Sequence, residues 1–136
     1  MSEASDLWLE RAEMDLQAAR VLSGKARLRE LASFHYQQAA EKALKAVLVA
    51  ARRSVPRVHD LVLLAREASS VAPELRRATA PARRLNMFYI ETRYPVGPQR
   101  RLTAAELSGV MRAATTIVEM GRAAVRAVRG ESEGAG

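Results

Sequence analysis

The stretch Phe34–Leu48, FHYQQAAEKALKAVL, decides the fold class. Its apolar residues recur at three- and four-residue steps, the period of an α-helix, and neither glycine nor proline interrupts them. Extended outward, the pattern predicts a helix from about Leu28 to Arg52. Leu31, Phe34, Ala39, Ala40, Ala43, Leu44, Val47, Leu48 and Ala51 form an apolar band wide enough to meet two neighbours, as expected of a central helix. The same stretch sets Glu41, Lys42 and Lys45 directly against that band.

Those polar residues admit two readings. His35, Gln38, Glu41 and Lys45 follow one another at steps of three, three and four and share a stripe, with Glu41 before Lys45 in the favourable orientation for a helix ion pair. One reading is a solvated face carrying a weak surface salt bridge. The other is an inward-leaning acid that holds Arg93 or a phosphate-binding lysine.

The flanking sequence is helical too, and strand signals are almost absent. A first helix follows a capping serine, Ser2 or Ser5, and runs through Leu7, Trp8, Ala12, Asp15, Leu16, Ala19 and Leu22 to a stop at Gly24. Pro56 makes Ser54–Val58 a connection, after which a short helix capped by Asp60 runs to Ser69. Pro73 opens a fourth helix that Pro81 breaks or restarts, with Leu75, Ala78, Ala82, Leu85, Phe88 and Tyr89 recurring helically. Arg93-Tyr94-Pro95-Val96-Gly97-Pro98 is a loop. Thr103 and Glu106 then make a capping box for a last helix to Val128, with Leu107, Met111, Ala114, Ile117, Val118, Gly121, Ala124, Val125 and Val128 inward. The expected fold is all-α, an antiparallel four- to five-helix up-and-down bundle over residues 1–129, followed by a disordered tail at 130–136.

Composition narrows the function. The 136 residues fit one domain, and the absence of cysteine excludes disulfides, thiol nucleophiles and thiolate metal sites. The two histidines lack a paired spacing, so neither a metal nor a cofactor is expected. An acidic, amphipathic N-terminus and the lack of a long apolar run point to a cytoplasmic protein without a membrane association. Twenty-two Lys and Arg against 15 Asp and Glu leave a net charge of +7, mostly from arginine, which favours nucleic acid, nucleotide or an acidic protein as partner. A GC-rich genome enriches arginine and alanine as well, so charge alone does not choose.

His59 follows Arg52, Arg53 and Arg57 at a helix start, where cations and backbone amides can receive a phosphate. Alternatively Asp60 caps the helix while His59 packs over Val58 and Val62. Arg93, fixed before Tyr94-Pro95, can close its own helix, pair with Glu41 or bind phosphate.

The ordered set Trp8 with Ala12 and Asp15-Leu16, then Ala39-Ala40-Glu41-Lys42-Ala43-Leu44-Lys45-Ala46, then His59-Asp60-Leu61, then Tyr89 and Arg93-Tyr94-Pro95 resembles the HEPN domain family over roughly residues 6–125. The resemblance implies a four- or five-helix bundle, usually homodimeric, often encoded beside a minimal nucleotidyltransferase in toxin–antitoxin-like systems and linked to RNA cleavage or nucleotide binding. Catalytic members carry an arginine followed after four to six residues by a histidine near the start of a late helix. In this chain Pro98, Gln99 and Arg100 stand where that histidine is due after Arg93, and the literal matches are Arg52 or Arg53 with His59, across an earlier proline-containing loop. Metal-free RNA cleavage needs a base and an electrophile around one phosphate, and that loop is not the family's catalytic location. Two readings follow. The first is a non-catalytic nucleotide- or RNA-binding and interaction module using Glu41, Lys42, Lys45, His59, Arg93 and Tyr94. The second is a metal-independent ribonuclease using Arg53 and His59. Both expect Glu41 and Arg93 to organise one polar pocket.

Overall fold

In the computed structural model of the chain, residues 3–93 and 101–131 are described, without the side chains of Glu3 and of residues 89–93. They form α1 (Glu3–Leu22), α2 (Arg29–Ala50), α3 (Leu61–Ser69), α4 (Thr79–Arg93) and α5 (Ala104–Val128), with 3-10 segments at Ala26–Leu28 and Pro73–Ala78. No strand occurs among the described residues.

Side-chain pairings give the helix directions. Trp8 of α1 meets Lys45 of α2 while Asp15 meets His35 and Lys42, so α1 and α2 are antiparallel. Asp6 pairs with Arg129 and Glu13 with Arg122, so α1 and α5 are antiparallel as well. At the start of α2, Arg29 donates to the Leu102 carbonyl and Glu30 accepts from the Leu102 N–H, while Ala43 faces Gly121 further along, so α2 and α5 run parallel. This is the up-and-down bundle that the periodicity predicts. Central α2 packs most heavily on α1 and α5 and also touches α3 and α4.

The core is aliphatic and rich in alanine. Ala32, Ala39, Ala40, Ala43 and Ala46 of α2 are fully buried, and small side chains let the helix axes approach. A Cβ at position 121 would lie 3.0 Å from the Ala43 carbonyl oxygen and 3.1 Å from the Ala43 Cβ, so glycine is what the α2–α5 contact accommodates.

Several local expectations change. Ser5 is fully buried inside α1, so it is not the cap, and Ser2 lies outside the described residues. Leu7, Leu31 and Met111, expected inward, are 56%, 46% and 37% exposed, because each falls at the edge of its helix's apolar stripe. Pro73 opens a 3-10 segment, and the fourth helix begins at Thr79, where Pro81 sits in the first turn and gives up no helical hydrogen bond. Thr103 and Glu106 form the reciprocal capping box. Gly130 and Glu131, assigned to the tail, cap α5; residues 94–100 and 132–136, covering the expected loop and the rest of the tail, lie outside the described residues.

Two helices end in the same Schellman arrangement. After α5, Gly130 has φ of 75°, its N–H donates to the Ala127 carbonyl, and Glu131 N–H donates to Arg126. After α2 the corresponding donors are Arg52 to Val49 and Arg53 to Leu48, but the left-handed residue is Arg52, with φ of 59°. A non-glycine residue there is strained by about 1 kcal/mol. Arg52→Gly is expected to raise unfolding stability by about 0.5–1 kcal/mol in urea melts. Gly121→Leu is expected to lower it by at least about 1–3 kcal/mol through overpacking against Ala43.

Candidate functional site

The polar stripe of α2 is not solvated. Glu41 and Lys45 are only 7% and 8% exposed, held on α2 between α1 and the segment that leads into α3. A carboxylate so far from water needs its charge neutralised and its oxygens hydrogen-bonded. Lys45 Nζ donates to Glu41 Oε2 at 3.0 Å, one helical turn away. The Lys45 ammonium also lies 6.0 Å from the Trp8 ring centroid on α1.

The second carboxylate oxygen reaches across the chain. Glu41 Oε1 lies 2.8 Å from His59 Nδ1. A carboxylate only accepts, so Nδ1 carries the proton of this bond and Nε2 is the basic nitrogen of the neutral ring. The His59 side chain is 51% exposed, so one edge is tied to a buried acid while the ring remains at the surface. His59 therefore does not simply cover Val58 and Val62.

Asp60, the next residue, anchors the same corner. Its Oδ1 accepts from Val62 N–H and Leu63 N–H, making the expected cap of α3. It also accepts from Asn86 Nδ2 of α4 at 2.8 Å, while Asn86 Oδ1 accepts from Leu61 N–H. The Asn86 bond, helped by the two backbone donors and by the charge of Arg66, holds the Asp60 carboxyl below the usual carboxylate range against the opposing effect of partial burial. His59 is thus fixed from both sides, by Glu41 through its ring and by the Asp60–Asn86 clamp through the backbone.

A second polar node lies along the α1–α2 seam. Asp15 accepts from Lys42 through one oxygen and lies 2.9 Å from His35 Nδ1 through the other. Lys42 is therefore committed to a partly buried ion pair. Of the residues expected to gather in one pocket, Glu41, Lys45 and His59 come together and Lys42 faces the separate Asp15 node. Tyr94, and the expected Glu41–Arg93 pairing with the Arg93 side chain, lie outside the described residues; the Arg93 backbone is the last residue of α4.

Arg52, Arg53 and Arg57 stand exposed on the α2–α3 connection that carries His59, and no ion pair engages them among the described residues. A histidine anchored by an acid on a connection that carries such cations suits an oxyanion. Among the described residues no group of three or more His, Asp or Glu side chains is arranged to hold a metal. None of their helices is long and apolar enough to cross a membrane.

With this geometry, an all-helical bundle whose polar corner joins the second helix to the third, the chain belongs to the HEPN domain family, whose profile matches residues 5–123. A solved structure from Thermus thermophilus, TT1696, is similar at 28% identity, covers 91% of this chain and 99% of its own, and superposes with a TM-score of 0.72. The crystal structure of an archaeal HEPN homologue shares the fold at 24% identity, over 89% of this chain and 97% of its own, with a TM-score of 0.71. No curated protein is similar enough to match the chain.

Removing Glu41 alone leaves the Lys45 charge buried without its acid, so Glu41→Ala is expected to cost about 3 kcal/mol or more in chemical unfolding. The double variant Glu41→Leu with Lys45→Met, which removes both charges, is expected to recover most of that loss. At Asp60 the depressed carboxyl contributes stability that is present above about pH 4 and lost as pH falls through the lower folded value. Asn86→Ala is expected to move the Asp60 titration upward, read from its side-chain carboxyl carbon shift, and to narrow the difference in stability between pH 6 and pH 3.

Proposed function

We propose that this chain is a non-catalytic binding and interaction module that takes the phosphates of a nucleotide or RNA at the corner between α2 and α3. The observation that carries this reading is the Glu41–His59 bond, which holds an imidazole at the surface of the connection that also carries three exposed arginines. Lys42 and Lys45 are engaged by Asp15 and Glu41, so the ligand's partners are His59, Arg52, Arg53 and Arg57, with the two lysines shaping the wall behind them. Membership of the HEPN family supports extending the reading to a cytoplasmic homodimer that works with a minimal nucleotidyltransferase in a toxin–antitoxin-like pair.

A second reading is favoured by one specific feature. A carboxylate on Nδ1 fixes the tautomer in which Nε2 is basic, the arrangement that orients a general base. A metal-independent ribonuclease with His59 as base and Arg53 as electrophile uses that geometry.

A labelled structured RNA incubated with the protein in EDTA separates the two. The binding module leaves the RNA intact and retains it with a salt sensitivity that weakens by about one unit of log–log slope for each of Arg52, Arg53 and Arg57 changed to Gln. Cleavage that His59→Ala abolishes, with helical circular dichroism preserved, establishes the ribonuclease instead.

A further inference from the structure

Where α4 faces α5, two arginines from different helices end over the same glycine. A Cβ at position 109 would sit 2.6 Å from Arg84 Nη1 and 3.9 Å from Arg112 Nη2. The two guanidinium groups therefore converge on one point of α5, where like charges repel. Neither arginine makes a hydrogen bond or ion pair among the described residues, and both are exposed. The acid one turn earlier, Glu106, is turned toward Thr103 in the capping box.

Gly109 has no other evident purpose there. It is buried within the first half of a long helix, where glycine is the poorest residue short of proline. The space its missing side chain leaves is filled by the end of a long, flexible arginine, which could lie elsewhere if packing alone mattered. Glycine lets the Nη1 end of the Arg84 guanidinium reach α5 beside that of Arg112.

We propose that Arg84 and Arg112 form an oxyanion site across Gly109 whose ligand is a phosphoryl group. Planar donors from two rigid helices suit tetrahedral phosphate oxygens, because each fork donates without reorganising the backbone. The ligand's charge also removes the repulsion between the arginines. The site shares no residue with the Glu41–His59 corner and stands whether or not that corner binds a ligand.

The phosphoryl group can belong to a nucleic acid backbone or to a free phosphate compound, and two arms tell them apart. In the first, a fluorescent single-stranded RNA is titrated at several salt concentrations against the wild type and the Arg84→Gln, Arg112→Gln double variant, which is expected to lose about 0.7 units of log–log salt slope for the one phosphate the site takes. In the second, inorganic pyrophosphate is expected to raise the melting temperature of the wild type but not of the double variant. Loss of slope in the first arm assigns the site to nucleic acid; an Arg84- and Arg112-dependent melting shift with an unchanged RNA slope assigns it to free phosphate. Gly109→Ala provides the control for folding. It is expected to leave the melting temperature unchanged or higher, since only a flexible side chain must move, and yet to weaken binding in whichever arm is positive. An RNA slope and a pyrophosphate response both unaffected by the double variant overturn the proposal. RNA binding that is unchanged in the His59, Arg52, Arg53 and Arg57 variants, with the Arg84 and Arg112 response intact, counts against the corner and not against this site.

Discussion

A buried carboxylate on the central helix sets the terms for everything around it. Glu41 sits where water hardly reaches, so the fold has to supply a countercharge and hydrogen-bond donors or forfeit several kcal/mol. Lys45 supplies the charge from the same helix, at a four-residue spacing that places it over the acid. His59 supplies the second donor from the following connection. The segment between α2 and α3 is thereby tied to α2 at its far end as well as its near end. Apolar residues of similar volume would satisfy the packing as well as this pair does. What the ionic arrangement adds is position, since it fixes which way an imidazole points at the surface.

The bundle around this node uses two different kinds of helix end. Where α5 stops, Gly130 takes up the left-handed conformation at little strain; where α2 stops, Arg52 adopts the same geometry at a cost in backbone strain. The strained turn holds Arg52 and Arg53, at the start of the connection that carries His59. Strain of this kind persists where surrounding structure over-determines it, and it collects at functional corners. The turn itself is closed by the Arg52 and Arg53 amides on α2, and the far end of the connection is held by the Asp60–Asn86 clamp, which joins the start of α3 to α4.

Helix identity was legible because it is local: the three- and four-residue period, the Thr103–Glu106 box, the Asp60 cap and the prolines act within one element and leave their mark on the residues that form it. Family membership followed from four short words in order. The inward face was less legible, and Leu7, Leu31 and Met111 show why. Periodicity gives a stripe but not its width, and residues at its edge are covered only if a neighbour happens to lie on that side. The site was harder again. Glu41 was singled out by its place against the apolar band, but its partner stands eighteen residues away, and no spacing rule connects residues on different elements. Lys42 looked like a ligand cation until Asp15 of α1 accounted for it. Gly109 left a trace that sequence reasoning passed over, a glycine inside a strong helical pattern, and such a residue asks for a packing or functional reason.

The bond between Glu41 and His59 is tested most directly by the protonation pattern of that imidazole. With histidine labelled in nitrogen-15, long-range proton–nitrogen correlation spectra of the folded protein are expected to show the proton on Nδ1 of His59. Glu41→Gln should release it toward the Nε2-protonated form that free imidazole prefers. A wild-type spectrum in which His59 already carries its proton on Nε2 alone, unchanged by the substitution, would contradict the account.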